Sequence, residues 1–178
     1  MIGEIARDAK LRRKVIPLAF HVDYWDHLGW RDPFSSPQWS ARQAAYARAL
    51  SLDSAYTPQV VINGDRQMVG SDRRAINDAI ARASREKAEA RIAIDEGVAR
   101  GSTSRQLDLF AVVVQGGVST SVRSGENAGR TLRNDAIVNQ LTRVARVNGK
   151  FEQAVGGANV VFLQDPATLR IYAAASRP

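Results

Sequence analysis

The stretch Tyr56-Thr57-Pro58-Gln59-Val60-Val61-Ile62-Asn63-Gly64 leaves this chain the least freedom. Proline fixes its own φ and lacks an N–H, so it suits the first residue of a strand and not its middle. The β-branched run that follows reads as a buried strand. Asn63-Gly64 is the residue pair of a tight hairpin turn, and residues 66–69 read as the returning edge strand. X-Pro bonds are cis in about one case in twenty in folded proteins. On that rate alone the Thr57–Pro58 bond is expected to be trans, whereas a cis bond would kink the entry to the strand. Such a bend exposes backbone polar groups to an extended peptide, as in strand addition.

The rest of the first half alternates helix and strand signals. Apolar residues Ile2, Ile5, Ala6 and Ala9 predict a short amphipathic helix over residues 2–11. Residues 15–22 (V-I-P-L-A-F-H-V) form a nearly continuous apolar run that suits a buried strand. An aromatic loop follows over 23–36. Ser36-Pro37 then reads as N-cap and first helical residue of a helix to about Leu50. Its inward face would carry Trp39, Ala44, Ala47 and Leu50, with Tyr46 flanking. Ser71 is expected to cap the next helix, with Asp72 in its first turn. That helix uses Ile76, Ala79, Ile80 and Ala83, and has sequence to run on towards Glu89.

Beyond Ile92 the pattern becomes antiparallel β. Residues 105–114 read as a strand, Gly116-Gly117 as a turn and 118–123 as another strand. Residues 135–144 fit helix and strand equally, and Asn148-Gly149 reads as a hairpin turn. Residues 159–164 and 169–174 are strands about a turn at 165–168. We therefore expect two parts, 1–90 and 91–178, with their boundary near residues 89–105. The second, β-rich part packs on the first.

Charge and composition exclude some functions. The formal net charge is +7, but the bases are spread along the chain, the densest groups being 10–14 and Arg73-Arg74. No basic run interleaves with aromatics, so we expect no nucleic-acid partner. No run is long and apolar enough to span a membrane. There is no cysteine, which removes disulfides, thiolate chemistry and cysteine metal ligands. Residues 1–14 lack the apolar centre of a signal peptide.

Several groups offer chemistry. His21, Asp23, Asp26 and His27, with Asp32 behind them, are residue types that ligate metals. They equally suit loop backbone satisfaction, with Trp25 and Trp30 packing over a sheet edge. The segment 125–132 offers a Glu126–Arg130 pair or an anion-binding turn, with a structural turn preferred. Asp53, Asp65 and Asp72 flank the proline strand, although turns and caps already account for two of them. No catalytic constellation and no cofactor site is recognised.

The motifs H-V-D-Y-W-D-H-L-G-W-R-D-P-F (21–34), S-A-R-Q-A-A-Y-A-R-A-L (40–50), Y-T-P-Q-V-V-I-N-G (56–64), V-G-S-D (69–72) and G-E-N-A-G-R-T-L (125–132) together resemble a bacterial family. It is the thioredoxin-like family catalogued as domain of unknown function 1223, and the resemblance runs from about Val15 to the end. It implies a thioredoxin-like three-layer α/β sandwich, here N-terminally truncated, with a cis Thr57–Pro58 bond, followed by a β-rich region, and a periplasmic or secreted location. Relatives usually begin with a strand and a Cys-x-x-Cys segment ahead of what is here residue 1. Without that strand, sheet edges and apolar surface are left open, which favours a homodimer. Dithiol exchange needs a thiolate, so the chain as given is expected to be redox-inactive. We expect a protein or peptide partner to bind at Thr57, Pro58, Tyr24, Trp25 and Trp30. A longer form carrying the cysteines would instead be a thiol–disulfide oxidoreductase. A third reading is a metal-binding envelope protein using His21, Asp23, Asp26 and His27.

Overall fold

A computed structural model describes residues 2–8, 10–11, 14–125 and 128–177. Among them lie helices α1 (Ile2–Arg7), α2 (Pro37–Ala49) and α3 (Arg73–Ala83). The strands are β1 (Gln59–Ile62), β2 (Arg66–Val69), β3 (Ala90–Asp95), β4 (Val98–Gln115), β5 (Val118–Ser121), β6 (Thr131–Asn134), β7 (Ile137–Ala154), β8 (Val160–Gln164) and β9 (Ile171–Ser176). The fold is mixed α/β, with few helices and one curled antiparallel sheet.

The long strands β4 and β7 form its spine, antiparallel from Val98↔Ala154 to Gln115↔Ile137. On the other edge of β4, β3 pairs with its first half and β8 with its second. β9 adds outside β8. The curl brings β3 against β9. One face buries Leu107, Leu109, Val147, Val161 and Leu163. The other buries Val112, Val138, Val160 and Phe162 against Trp39 of α2, with Leu18 and Phe20 packed alongside. Alternation along β8 sends Val161 and Leu163 to one core and Val160 and Phe162 to the other. That is why Val-Val-Phe-Leu-Gln is buried at every position.

The local signals around α2 and the hairpin are realised in the backbone. Ser36 caps α2 and accepts a hydrogen bond from Gln38 N–H, with Pro37 at the start. Trp39, Tyr46 and Ala47 are its buried residues, whereas Ala44 and Leu50 are half-buried. β1 and β2 pair through a turn at Asn63 and Gly64, both at positive φ. A side chain at Gly64 would put Cβ 2.1 Å from the Leu169 carbonyl, so only glycine fits. The Thr57–Pro58 bond is cis.

Residues 15–22 are not the buried strand their composition suggests. Ala19 alone makes a ladder contact, a parallel bridge to Ile137 with hydrogen bonds of 2.7 and 2.9 Å to Ala136 O and Val138 N. The β1–β2 hairpin is its own two-stranded sheet. Asn63 C=O accepts a 2.7 Å hydrogen bond from Ile171 N–H, which ties the turn end of β1 to the start of β9. The two segments thus form no common parallel sheet among the described residues, whose mixed α/β architecture is organised around the curled antiparallel sheet.

Smaller differences have local causes. Asp72, not Ser71, caps α3, accepting from Ala75 N–H at 2.9 Å. The helix stops at Ala83, and β3 begins at Ala90. Residues 135–144 resolve as part of β7. Asn148-Gly149 is no hairpin turn: it lies inside β7, where the register shifts between Thr103/Leu107. Gly149, at φ +70°, takes up that bulge.

Candidate functional site

The loop after residue 22 is rigidified by its own acids. His21 Nδ1 lies 2.6 Å from Asp32 Oδ2, and Phe34 N–H donates to Asp32 Oδ1 at 2.9 Å. Ser35 Oγ donates to Asp26 Oδ2 at 2.6 Å, while Asp32 N–H donates to Asp26 Oδ1 at 3.2 Å. Ser40 Oγ, on α2, donates to Asp23 Oδ1 at 2.5 Å. Partial burial works against charge on Asp32. The hydrogen bond from His21, that from Phe34 N–H and the attraction of His21 outweigh it and hold the carboxyl below its ordinary value.

The same side chains are those the sequence offers to a metal ion. Asp23 and Asp26 are occupied as staples, His21 faces Asp32, and His27 is exposed. Among the described residues no group of three or more His, Asp or Glu side chains is arranged to hold a metal ion. Asp65 faces Arg170 at 3.3 Å, Asp72 is a cap and Asp53 is exposed. The Glu126–Arg130 pairing and part of the 10–14 basic cluster lie outside the described residues.

The stapled loop holds an aromatic rim against the proline turn. Trp25 Nε1–H donates to Thr57 Oγ1 at 2.9 Å. Tyr24 and Trp25 rings are 5.4 Å apart, and Tyr24 OH donates to Gln43 Oε1 at 3.0 Å. Gln43 in turn donates to Tyr56 C=O at 2.7 Å and to Gln59 Oε1 at 3.2 Å. One α2 side chain therefore fixes the loop and both flanks of Thr57–Pro58. Pro58 C=O accepts from Gly70 N–H at 2.7 Å, bringing the end of β2 alongside.

This rim is also where large apolar side chains stay wet. The described ones that are exposed are Trp25 (52%), Leu28 (54%), Tyr24 (37%) and Val69 (46%). Three belong to the loop and the fourth pairs with Gln59 of β1. Thr57 and Pro58 are exposed between them. Trp30, by contrast, is half-buried beside the Gly125 turn.

Sequence reasoning missed Arg42, which packs between α2 and the sheet. Its guanidinium lies 5.2–5.8 Å from the ring centres of Phe20, Tyr46, Phe110 and Phe162. It donates to Tyr46 OH at 3.2 Å and Gln164 Oε1 at 3.3 Å. Burial lowers its pKa, partly offset by Tyr46. The signal available was its place on α2, one helical turn from both Trp39 and Tyr46.

The chain matches the family model described as "Protein of unknown function (DUF1223)" over residues 1–164. Its fold is similar to that of protein AGR_C_4864 from Agrobacterium tumefaciens, a structural genomics target solved by X-ray crystallography. The TM-score is 0.75 at 20% identity, covering 97% of this chain and 84% of that one. A search of curated proteins finds no match.

Proposed function

The chain belongs to the DUF1223 family, and from that premise we propose that it is a redox-inactive, thioredoxin-like binding protein that takes an extended segment of another protein at the rim around Thr57–Pro58. The observation that carries this reading is the gathering of exposed Tyr24, Trp25, Leu28 and Val69 on the loop and hairpin that meet there. Contiguous exposed apolar surface on a folded chain marks an interaction site. The order α2–β1–β2–α3 supports the thioredoxin-like ancestry. The chain contains no sulfur nucleophile, so binding and not dithiol exchange is the activity. We place it in the bacterial envelope or outside the cell, on grounds of family resemblance.

The test is titration with a reduced and alkylated, permanently unfolded model protein, read by tryptophan fluorescence. Wild type binds saturably, with a change in Trp25 emission. Trp25→Ala and Val69→Asp each abolish binding while the thermal midpoint holds. Equal binding by wild type and both variants removes the rim as the site. Cell fractionation that finds the protein in the cytoplasm overturns the envelope placement.

A further inference from the structure

A second candidate site stands on the five-stranded sheet and uses none of the rim residues. Arg91 of β3 is paired with Ser102 of β4, and Ser102 is paired with Lys150 of β7. Residues directly opposite on neighbouring strands project from one face, so these three form a single row across three strands. Strands are spaced about 4.8 Å, which puts Arg91 and Lys150 about 10 Å apart at the backbone, with Ser102 midway. Two long side chains reach a common point over Ser102 from that separation.

The neighbouring charges are already matched. Arg100 and Glu152 form a double hydrogen bond of 2.9 and 3.1 Å. Arg105 donates twice to Glu89 Oε2, at 3.0 and 2.7 Å. Asp108 holds both Arg143 and Arg146 at 2.8 Å. Arg91 and Lys150 have no ion-pair or hydrogen-bond partner among the described residues, and neither have the Ser102 and Ser104 hydroxyls. Two positive charges and two free hydroxyls are left over in one place.

The backbone opens a groove there. Between Thr103↔Gly149 and Leu107↔Val147 the register shifts, so that residues 104–106 of β4 lie opposite Asn148 alone. Gly149 sits at φ +70° with no heavy atom within 4 Å of where a Cβ would stand. An open groove of about 360 Å³ lies there, its polar lining made by Glu89, Arg91, Ser102, Thr103, Ser104 and Lys150. That volume is at the lower end for small-molecule sites, about 300–1,000 Å³, and larger than a bare oxyanion needs.

We propose that this groove binds a small molecule bearing a phosphate or sulfate ester. The tetrahedral anion sits over Ser102, taken by the planar fork of Arg91 and the point charge of Lys150. The Ser102 and Ser104 hydroxyls donate to the remaining oxygens. Glu89, its charge neutralised by Arg105, accepts from a hydroxyl on the ligand body.

The experiment is an NMR titration of the ¹⁵N-labelled chain with inorganic phosphate, and in a parallel arm with sulfate. Saturable shifts confined to residues around 91, 102, 149 and 150 are expected. Arg91→Ala and Lys150→Ala each weaken binding on the order of tenfold, as for loss of a charge-assisted hydrogen bond. Arg48→Ala, an equal charge change on α2, leaves it unaltered. Inorganic phosphate gains its second charge about one pH unit above the roughly pH 6 of a phosphate monoester, so a phosphate-ester site tightens for phosphate between about pH 6 and 8. A sulfate-ester site prefers sulfate and stays level over that range. Unsaturable shifts spread over basic surface residues overturn the proposal. So do saturable shifts that survive both variants, and binding to anionic vesicles that phosphate and sulfate fail to compete.

Discussion

Strands β1 and β8 are near relatives in sequence, Gln-Val-Val-Ile and Val-Val-Phe-Leu-Gln, yet all five residues of β8 are buried and none of the four in β1 is. The difference lies in their neighbours. β8 is laddered on both edges, by β4 and β9, and has a core on each face. Among the described residues β1 has one strand partner, β2, and its other edge makes no ladder pairing before the Asn63 carbonyl. Apolar composition thus permits burial, while the ladder decides it. The same contrast separates the two parts of the chain. The curled sheet holds its own core, and α2 with the hairpin leans on it through Trp39, Phe20 and Arg42.

The comparison breaks most readily in β8. Phe162→Ala is expected to cost about 3–5 kcal/mol, against about 1 kcal/mol for Val61→Ala in half-buried β1. Urea denaturation measures both, and equal costs would erase the contrast. Trp39→Leu is expected to cost about 2 kcal/mol through lost apolar contact. Hydrogen exchange should then rise in α2 and the hairpin before β4 and β8 if the first part leans on the second. Simultaneous loss of protection would make them one cooperative unit.

Acid separates the parts more gently. Burial opposes charge on Asp108, but hydrogen bonds from Arg146 and Arg143 and their charges hold its carboxyl below the ordinary value. Asp32 is depressed in the same sense by His21 and Phe34 N–H. A depressed carboxyl stabilises the fold above its unfolded pKa and loses that contribution as pH falls through the folded value. Stability should therefore drop below about pH 4. Asp108→Asn should flatten that acid limb and cost about 1 kcal/mol at neutral pH, a modest figure because both arginines are largely solvated. Ser36→Ala should cost about 1 kcal/mol as a lost cap, read as a lower thermal midpoint. Trp25→Ala should change stability by less than about 0.5 kcal/mol while removing segment binding. A large loss of stability there would make the rim structural.

Short-range chemistry was legible. Ser36-Pro37 opened α2, Asn63-Gly64 turned the hairpin, and residues 165–168 separated β8 from β9. The rim was half legible: Thr57, Tyr24 and Trp25 converge, whereas Trp30 turns to the Gly125 loop and Arg42 gave only its helical spacing. Of the residues offered for a metal, Asp23, Asp26 and His21 meet Ser40, Ser35 and Asp32, contacts that no local pattern announced. Asn148-Gly149 carries a turn signal yet stays inside β7, opposite the unpaired residues 104–106 of β4.

What the sequence determined alone was everything fixed by neighbours a few residues apart: caps, turns, apolar runs and the absence of a thiol. What only the tertiary structure decided was partnership. Residues 15–22 are as apolar as β8, but ladder hydrogen bonds come from strands far along the chain, and the single bridge at Ala19 is all the pairing they receive among the described residues. Strand, groove and rim alike are set by which distant segment arrives alongside, and no local run of residues encodes that.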